Sequence, residues 1–197
     1  MAADLPELLL PDAAAWRSWL AEHHASSDGG WLVLHKKGGT VTALDYEGAV
    51  REALCFGWID GQAGARDAES SRQRMTPRRA RSKWSARNVE RVAELEAAGL
   101  MQPAGRAQVE AATADGRWAA AYAGPATMEP PADLLAALAA DERAQAWWEV
   151  LTSANRFTIC YRVHEAKRPE TRARRIAAFV AELSADRPPS PQRARPS

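Results

Sequence analysis

Seven cations stand without one acid between residues 72 and 87: Arg72, Arg74, Arg78, Arg79, Arg81, Lys83 and Arg87. Six of the seven are arginines, whose planar forks grip carboxylate or phosphate through two parallel hydrogen bonds. Trp84 follows Lys83 directly, and Ser85 has the side chain to cap a helix, whose first turn offers further N–H groups to an anion. Just upstream, the heptad Cys55–Gly61 places a thiol, Trp58 and Asp60 within a few residues. Arg74, Thr76, Arg78, Lys83, Trp84 and Ser85, with Trp58 and Asp60 from the neighbouring segment, are therefore read as the lining of one anion-binding pocket. Asp60 can instead orient an arginine through a salt bridge. A solvated loop in an arginine-rich chain carries the same residues, so charge alone does not decide between surface and site.

Two other chemistries compete for these residues. Cys55 beside Asp60 and a set of cations is the outline of an activated nucleophile, since nearby positive charge lowers a thiol pKa. A cysteine on an apolar helical face is equally a small buried hydrophobe, and Asp60 before Gly61 is ordinary turn composition. Nucleic acid is the other reading, using residues 72–87 together with a second cluster from Arg156 to Arg175 that includes Arg162, Lys167, Arg168, Arg172 and Arg174. Against it, no zinc finger, RNP motif or recognition helix is visible. Metal and cofactor chemistry find no frame. His23 and His24 are adjacent, His35 and His164 are isolated, and Walker, dinucleotide and nucleophile-elbow patterns are missing, so neither a metal nor a cofactor is expected.

Positioning such residues requires elements, and the periodicity supplies them. Asp12 caps an amphipathic helix to His23; Trp31–Lys36 reads as a strand; Thr42 and Asp45 form a capping box before a helix ended by Gly57. Trp58–Gly61 reads as a brief extended piece, followed by a polar connection and a strand from Ser70 to Thr76 that Pro77 stops. In that strand Arg72 and Arg74 share one face, because side chains alternate with period two. Helices follow from Ser85 to Gly99 and from Pro103 to Asp115. Residues 124–131 turn to Gly, Pro and Thr, as linkers do. Beyond them, Asp133–Ala140, Glu142–Thr152, Ala154–Glu165 and Thr171–Ala185 all repeat at helical spacing. The expected fold class is α+β: a mixed α/β domain with a small sheet over residues 1–123, then an all-helical bundle over residues 130–185. Residues 186–197, rich in Pro, Arg and Ser, are expected to be a disordered tail.

Composition fits this plan. The chain has 197 residues, 46% hydrophobic and 26% charged, which excludes a wholly disordered protein. Its 26 basic and 25 acidic residues leave +1 overall. That neutrality is a sum over unlike parts: with residues 72–87 set aside, 19 basic residues face 25 acidic ones. Coating a long polyanion is thus disfavoured, while a local anion site is not. Two cysteines are too few for a disulfide scaffold and no leader pattern opens the chain, so a reducing cytoplasm is expected. No apolar run approaches the roughly 20 residues of a membrane span. Of eight tryptophans, Trp16, Trp19, Trp147 and Trp148 fall where helices pack. Trp31, Trp58, Trp84 and Trp118 fall at element ends, where an indole can stack on arginine or ligand.

Taken together, Trp31–Gly38, Glu52–Gln62, Arg74–Ser85 and Ala114–Trp118 resemble the YdeI/OmpD-associated proteins of bacteria, and Ala154–Arg156 with Ala166–Ile176 resemble that family's bacteriocin-protection domain. The resemblance implies a non-enzymatic protection protein linked to tolerance of cationic antimicrobial peptides and to envelope stress. It supplies no catalytic residue. The expected partner is a small anion or an envelope or stress protein, with nucleic acid second and an enzymatic role for Cys55 or Asp60 third.

Overall fold

The computed structural model describes residues 5–124 and 127–196. Pro125 and Ala126 of the expected linker and Ser197 of the expected tail lie outside the described residues. The chain forms two units, Met1–Tyr122 and Ala123–Ser197.

The first unit builds a four-stranded sheet in the order β1-β2-β4-β3. Its strands are β1 (Glu7–Leu8), β2 (Gly30–His35), β3 (Trp58–Ala65) and β4 (Ser70–Pro77). β1 is too short to leave a periodic signal and is added parallel to β2, whereas β4 runs antiparallel to both of its neighbours. β3 extends four residues past the expected Gly61, through a register shift between Asp60 and Ala63 that absorbs the irregular stretch.

Four helices accompany the sheet: α1 (Ala13–His23), α2 (Tyr46–Cys55), α3 (Ala86–Ala97) and α4 (Pro103–Ala114). Asp12, Asp45 and Ser85 cap the first three by accepting from backbone N–H groups at 2.8, 2.7 and 3.2 Å. Thr42 is not part of a cap, as the expected capping box would need. Its hydroxyl donates to the Leu10 carbonyl at 2.6 Å and so ties the loop before α2 to the N-terminal segment. Gly57 turns the chain from α2 into β3 at φ +74°, and a Cβ there would lie 2.9 Å from the Ala104 carbonyl of α4. Trp16, Leu20, Leu32, Leu34, Val50, Leu54, Trp58, Met75, Val92 and Leu95 belong to one buried cluster, the core of this unit.

The second unit is helical: α5 (Ala132–Ala139), α6 (Glu142–Val150), α7 (Ser153–His164) and α8 (Pro169–Ser184). It has its own core, with Leu134, Leu138, Trp147, Ile159, Val163 and Leu183. The fold class is thus an α+β unit with a small mixed sheet followed by a helical unit. No helix among the described residues is long and apolar enough to cross a membrane. After α8 the chain is irregular, and polar contacts that composition does not anticipate hold it. Asn155 is buried and exchanges hydrogen bonds with the backbone of Ser190 at 2.9 and 3.0 Å, while Gln192 donates to the Val150 carbonyl at 3.0 Å.

Candidate functional site

Strand register divides the residues that the sequence grouped into one pocket. Trp58 lies opposite Pro77 and Asp60 opposite Met75, and Trp58 and Met75 both enter the core, so these positions face the helices. Ile59 lies opposite Thr76 and Trp31 opposite Arg74, one residue out of phase, which sends Arg74 and Thr76 to the outer face. Arg74 and Thr76 therefore do not line a pocket with Asp60. Trp58 is core as well: it is buried edge-on against Trp16 and Trp19, and its indole N–H donates to the His24 carbonyl at 3.1 Å. Period-two alternation made this separation inevitable once β3 and β4 paired.

Arg78, Trp84 and Asp60 remain on the inner side. Arg78 follows the last residue of β4, where its N–H donates to the Gly57 carbonyl at 3.0 Å. Its side chain turns inward and is 7% exposed, with the guanidinium carbon 3.6 Å from the centroid of the Trp84 ring. Nη1 donates to the Lys83 carbonyl at 3.1 Å. Nε and Nη2 are buried, as is Nε1 of Trp84, and no acceptor among the described residues reaches any of the three. Leaving a buried donor unsatisfied costs about 1–3 kcal/mol, more when it is charged. Burial drives the Arg78 pKa down to about 10, with Asp60 and Tyr122 pulling it back up and Arg117 opposing them. Arg78 is still a cation at neutral pH.

Arg91 shows what a structurally satisfied arginine looks like in the same unit. It is equally buried, but Glu47 receives its Nε at 3.0 Å and its Nη2 as well, and Asn88 receives Nη1 at 2.8 Å. That pairing holds the Glu47 carboxyl below its ordinary range. The Asp60 carboxylate is shared with Tyr46, whose hydroxyl donates to it at 2.8 Å; burial and then the Asp60 charge push the Tyr46 phenol well above its ordinary pKa.

The loop carrying the site is clamped. Arg117 donates to the Ser82 carbonyl at 2.8 Å, Tyr122 N–H to the Trp84 carbonyl at 3.0 Å, and Trp118 packs edge-on to Trp84 with centroids 4.8 Å apart. Lys83 projects an exposed side chain, and the Ser85 hydroxyl is committed to the α3 cap. Tyr46, Glu47, Arg91 and Tyr122 are not among the expected site residues because their partners are distant in the chain, while Trp118, expected only as an indole at an element end, packs on Trp84. The Ala114–Trp118 motif was their one visible signal.

Cys55 is wholly buried, and burial raises its thiol pKa, against the activated thiolate that a nucleophile needs. Cys160 is buried and shifted the same way. In the native protein at neutral pH, iodoacetamide is expected to label neither cysteine until the chain is unfolded. Rapid stoichiometric labelling of Cys55, read by mass spectrometry, would restore the thiol as a reactive group. Among the described residues no three or more His, Cys, Asp or Glu side chains gather as a metal site would need.

Three arginines of the second cluster are committed to helix ends. Arg156 donates to the Trp148 and Glu149 carbonyls at 3.1 and 2.8 Å, Arg172 to the Val163 carbonyl at 3.0 Å and to Asp133, and Arg175 to the Arg162 carbonyl. These are cations placed where helix C-termini leave carbonyls unpaired.

The molecule is thus a two-unit protein, with a small mixed sheet and a buried arginine, Arg78, in its first unit and helices in its second. Residues 8–108 match the family model described as Domain of unknown function (DUF8412), just over half of the chain, and residues 127–186 match the model described as Bacteriocin-protection, YdeI or OmpD-Associated. The chain belongs to the first family through its N-terminal unit and carries a YdeI/OmpD-associated domain as its C-terminal unit. Neither the curated proteins nor the solved structures contain a match to it.

Proposed function

We propose that the N-terminal unit binds a small anion, a carboxylate or phosphate, on the Nε–Nη2 edge of Arg78. The supporting observation is that edge itself: two donors of one buried guanidinium, with Trp84 Nε1 beside them, and no protein acceptor among the described residues. A two-oxygen anion satisfies both guanidinium donors at once, and the indole excludes water and strengthens the contact. Asp60 has the orienting role, its charge holding Arg78 protonated. In this reading the protein is a non-enzymatic, cytoplasmic stress or protection protein of the YdeI/OmpD-associated type, contributing to bacteriocin and cationic-peptide tolerance through that ligand or through an envelope or stress protein partner.

Thermal shift and calorimetry with acetate and inorganic phosphate test the site. A ligand at 100 times its Kd stabilises by about 2.7 kcal/mol. Arg78→Lys, which keeps the charge and loses the fork, is expected to weaken binding at least tenfold. If no anion at about 10 mM shifts the native protein more than Arg78→Lys, the proposal is wrong.

A further inference from the structure

The outer face of the sheet has its own chemistry, separate from Arg78. Arg72 lies across it. On one side its Nε sits so close to β3 that a Cβ on Gly64 would approach it to 3.0 Å, and on the other its guanidinium carbon stands 4.8 Å from the centroid of the Trp31 ring on β2. Arg74 lies directly opposite Trp31 in the register. The strip therefore presents a flat guanidinium on an indole, with a second arginine two residues, about 6.8 Å of backbone, along the same strand.

Charge pairing makes this strip unusual within its unit. Arg17, Arg51, Arg66, Arg87, Arg91, Arg106 and Arg117 each have a carboxylate partner. Arg72 and Arg74 have no carboxylate and no hydrogen-bond acceptor among the described residues, and neither do the side chains of Arg79 and Arg81, exposed on the loop that continues from β4. The acid in register on this face is Glu7, opposite Trp31 on β1, and Arg66 holds it at 3.0 Å. Arginines without an acceptor among the described residues thus stand on the outer face of β4 and in the loop after it, with the Trp31 ring beside the first two.

We propose that this face binds single-stranded nucleic acid. Phosphates fit a row of guanidinium forks repeated along a strand, and an unstacked base fits the Arg72–Trp31 platform, since guanidinium planes and indoles are both surfaces on which bases stack. Duplex bases cannot reach that platform because their faces are already stacked, so the single strand is preferred. Affinity arises from the phosphates and falls with salt, and the stack distinguishes a nucleic acid from any other polyanion.

Fluorescence anisotropy of the full chain with a labelled oligothymidylate of about 12 nucleotides, competed by inorganic polyphosphate and by duplex DNA, tests the proposal. Binding is expected to be salt-dependent, and Arg72→Gln/Arg74→Gln should flatten the slope of log K against log salt by about 1.4, two contacts at about 0.7 each. Trp31→Ala should weaken oligothymidylate about tenfold or more and leave polyphosphate nearly unchanged. Arg78→Met should bind oligothymidylate like the native chain, which separates this face from the anion site. Circular dichroism confirms that each variant is folded, and Trp31→Phe, which keeps a ring, serves if Trp31→Ala is not. Undetectable oligothymidylate binding at low salt, equal competition by polyphosphate, duplex preference, or a Trp31→Ala loss shared equally by both polyanions overturns the proposal.

Discussion

Arg78→Met is expected to melt at a higher temperature than the native chain while losing its anion. The native guanidinium gives up water on every side and recovers one hydrogen bond, to the Lys83 carbonyl, and one stacking contact, on Trp84. A desolvated cation–π contact is worth about 2 kcal/mol. Against that stand two unsatisfied charged donors at about 1–3 kcal/mol each and the several kcal/mol of desolvating an ion. Methionine has similar reach, packs well on an indole and removes the buried donors of the guanidinium. Replacing buried ionic groups by apolar ones of like volume stabilises by about 1–4 kcal/mol in the favourable cases. At roughly 3 °C per kcal/mol, calorimetry in anion-free buffer resolves the gain. The pH dependence follows from the folded-state pKa of about 10, below the ordinary arginine value. Below that pH both folded and unfolded chains carry the proton, so the destabilisation is fully present at neutral pH. Above it the unfolded chain binds more protons than the native one, and native stability rises toward that of Arg78→Met. The gap between the two proteins should thus be flat through neutral pH and narrow only above about pH 10. A variant less stable than the native protein by 2 kcal/mol or more, on the scale of a core truncation, would mean that Arg78 is a structural anchor.

The helices were legible because each carries its own punctuation. Asp12, Asp45 and Ser85 cap by side-chain contacts three residues away, and Pro103 and Gly57 mark a start and a stop, all of which are local chemistry. β1 was not legible, since two residues have no period. The site was half legible. Of the arginines, tryptophans and acid expected together near residues 58–85, Arg78 and Trp84 meet and Asp60 acts on Arg78 through its charge. Which arginine turns inward depends on strand phase: Arg72 and Arg74 alternate outward while Arg78, released by Pro77 from the strand, does not. The carboxylate that satisfies Arg91 comes from α2, and only packing brings Glu47 to a residue 44 positions away. At the second cluster Arg156, Arg172 and Arg175 close the carbonyl ends of helices, contacts that composition does not show.

Trp84→Ala and Trp84→Phe are expected to part company. Trp84 is 1% exposed, holds Trp118 edge-on and carries Arg78 on its face. Alanine leaves a cavity the size of an indole, which costs about 3–5 kcal/mol, and exposes the Arg78 guanidinium to a space without partners. That loss is large enough to unfold a marginal domain, whose whole stability is about 5–15 kcal/mol. Phenylalanine keeps an aromatic face beneath Arg78 and removes Nε1, a buried donor that no protein group satisfies. The lost ring volume and the relief of about 1–3 kcal/mol from that donor oppose each other, so Trp84→Phe should lie within about 1 kcal/mol of the native chain on denaturant unfolding. Its anion affinity then reports what the indole N–H does. If that group completes the site, Trp84→Phe binds acetate or phosphate about tenfold more weakly, the worth of one charge-assisted hydrogen bond, at nearly unchanged stability. A folded Trp84→Phe that binds as the native protein does would reduce the site to the guanidinium edge alone, with Trp84 as its floor.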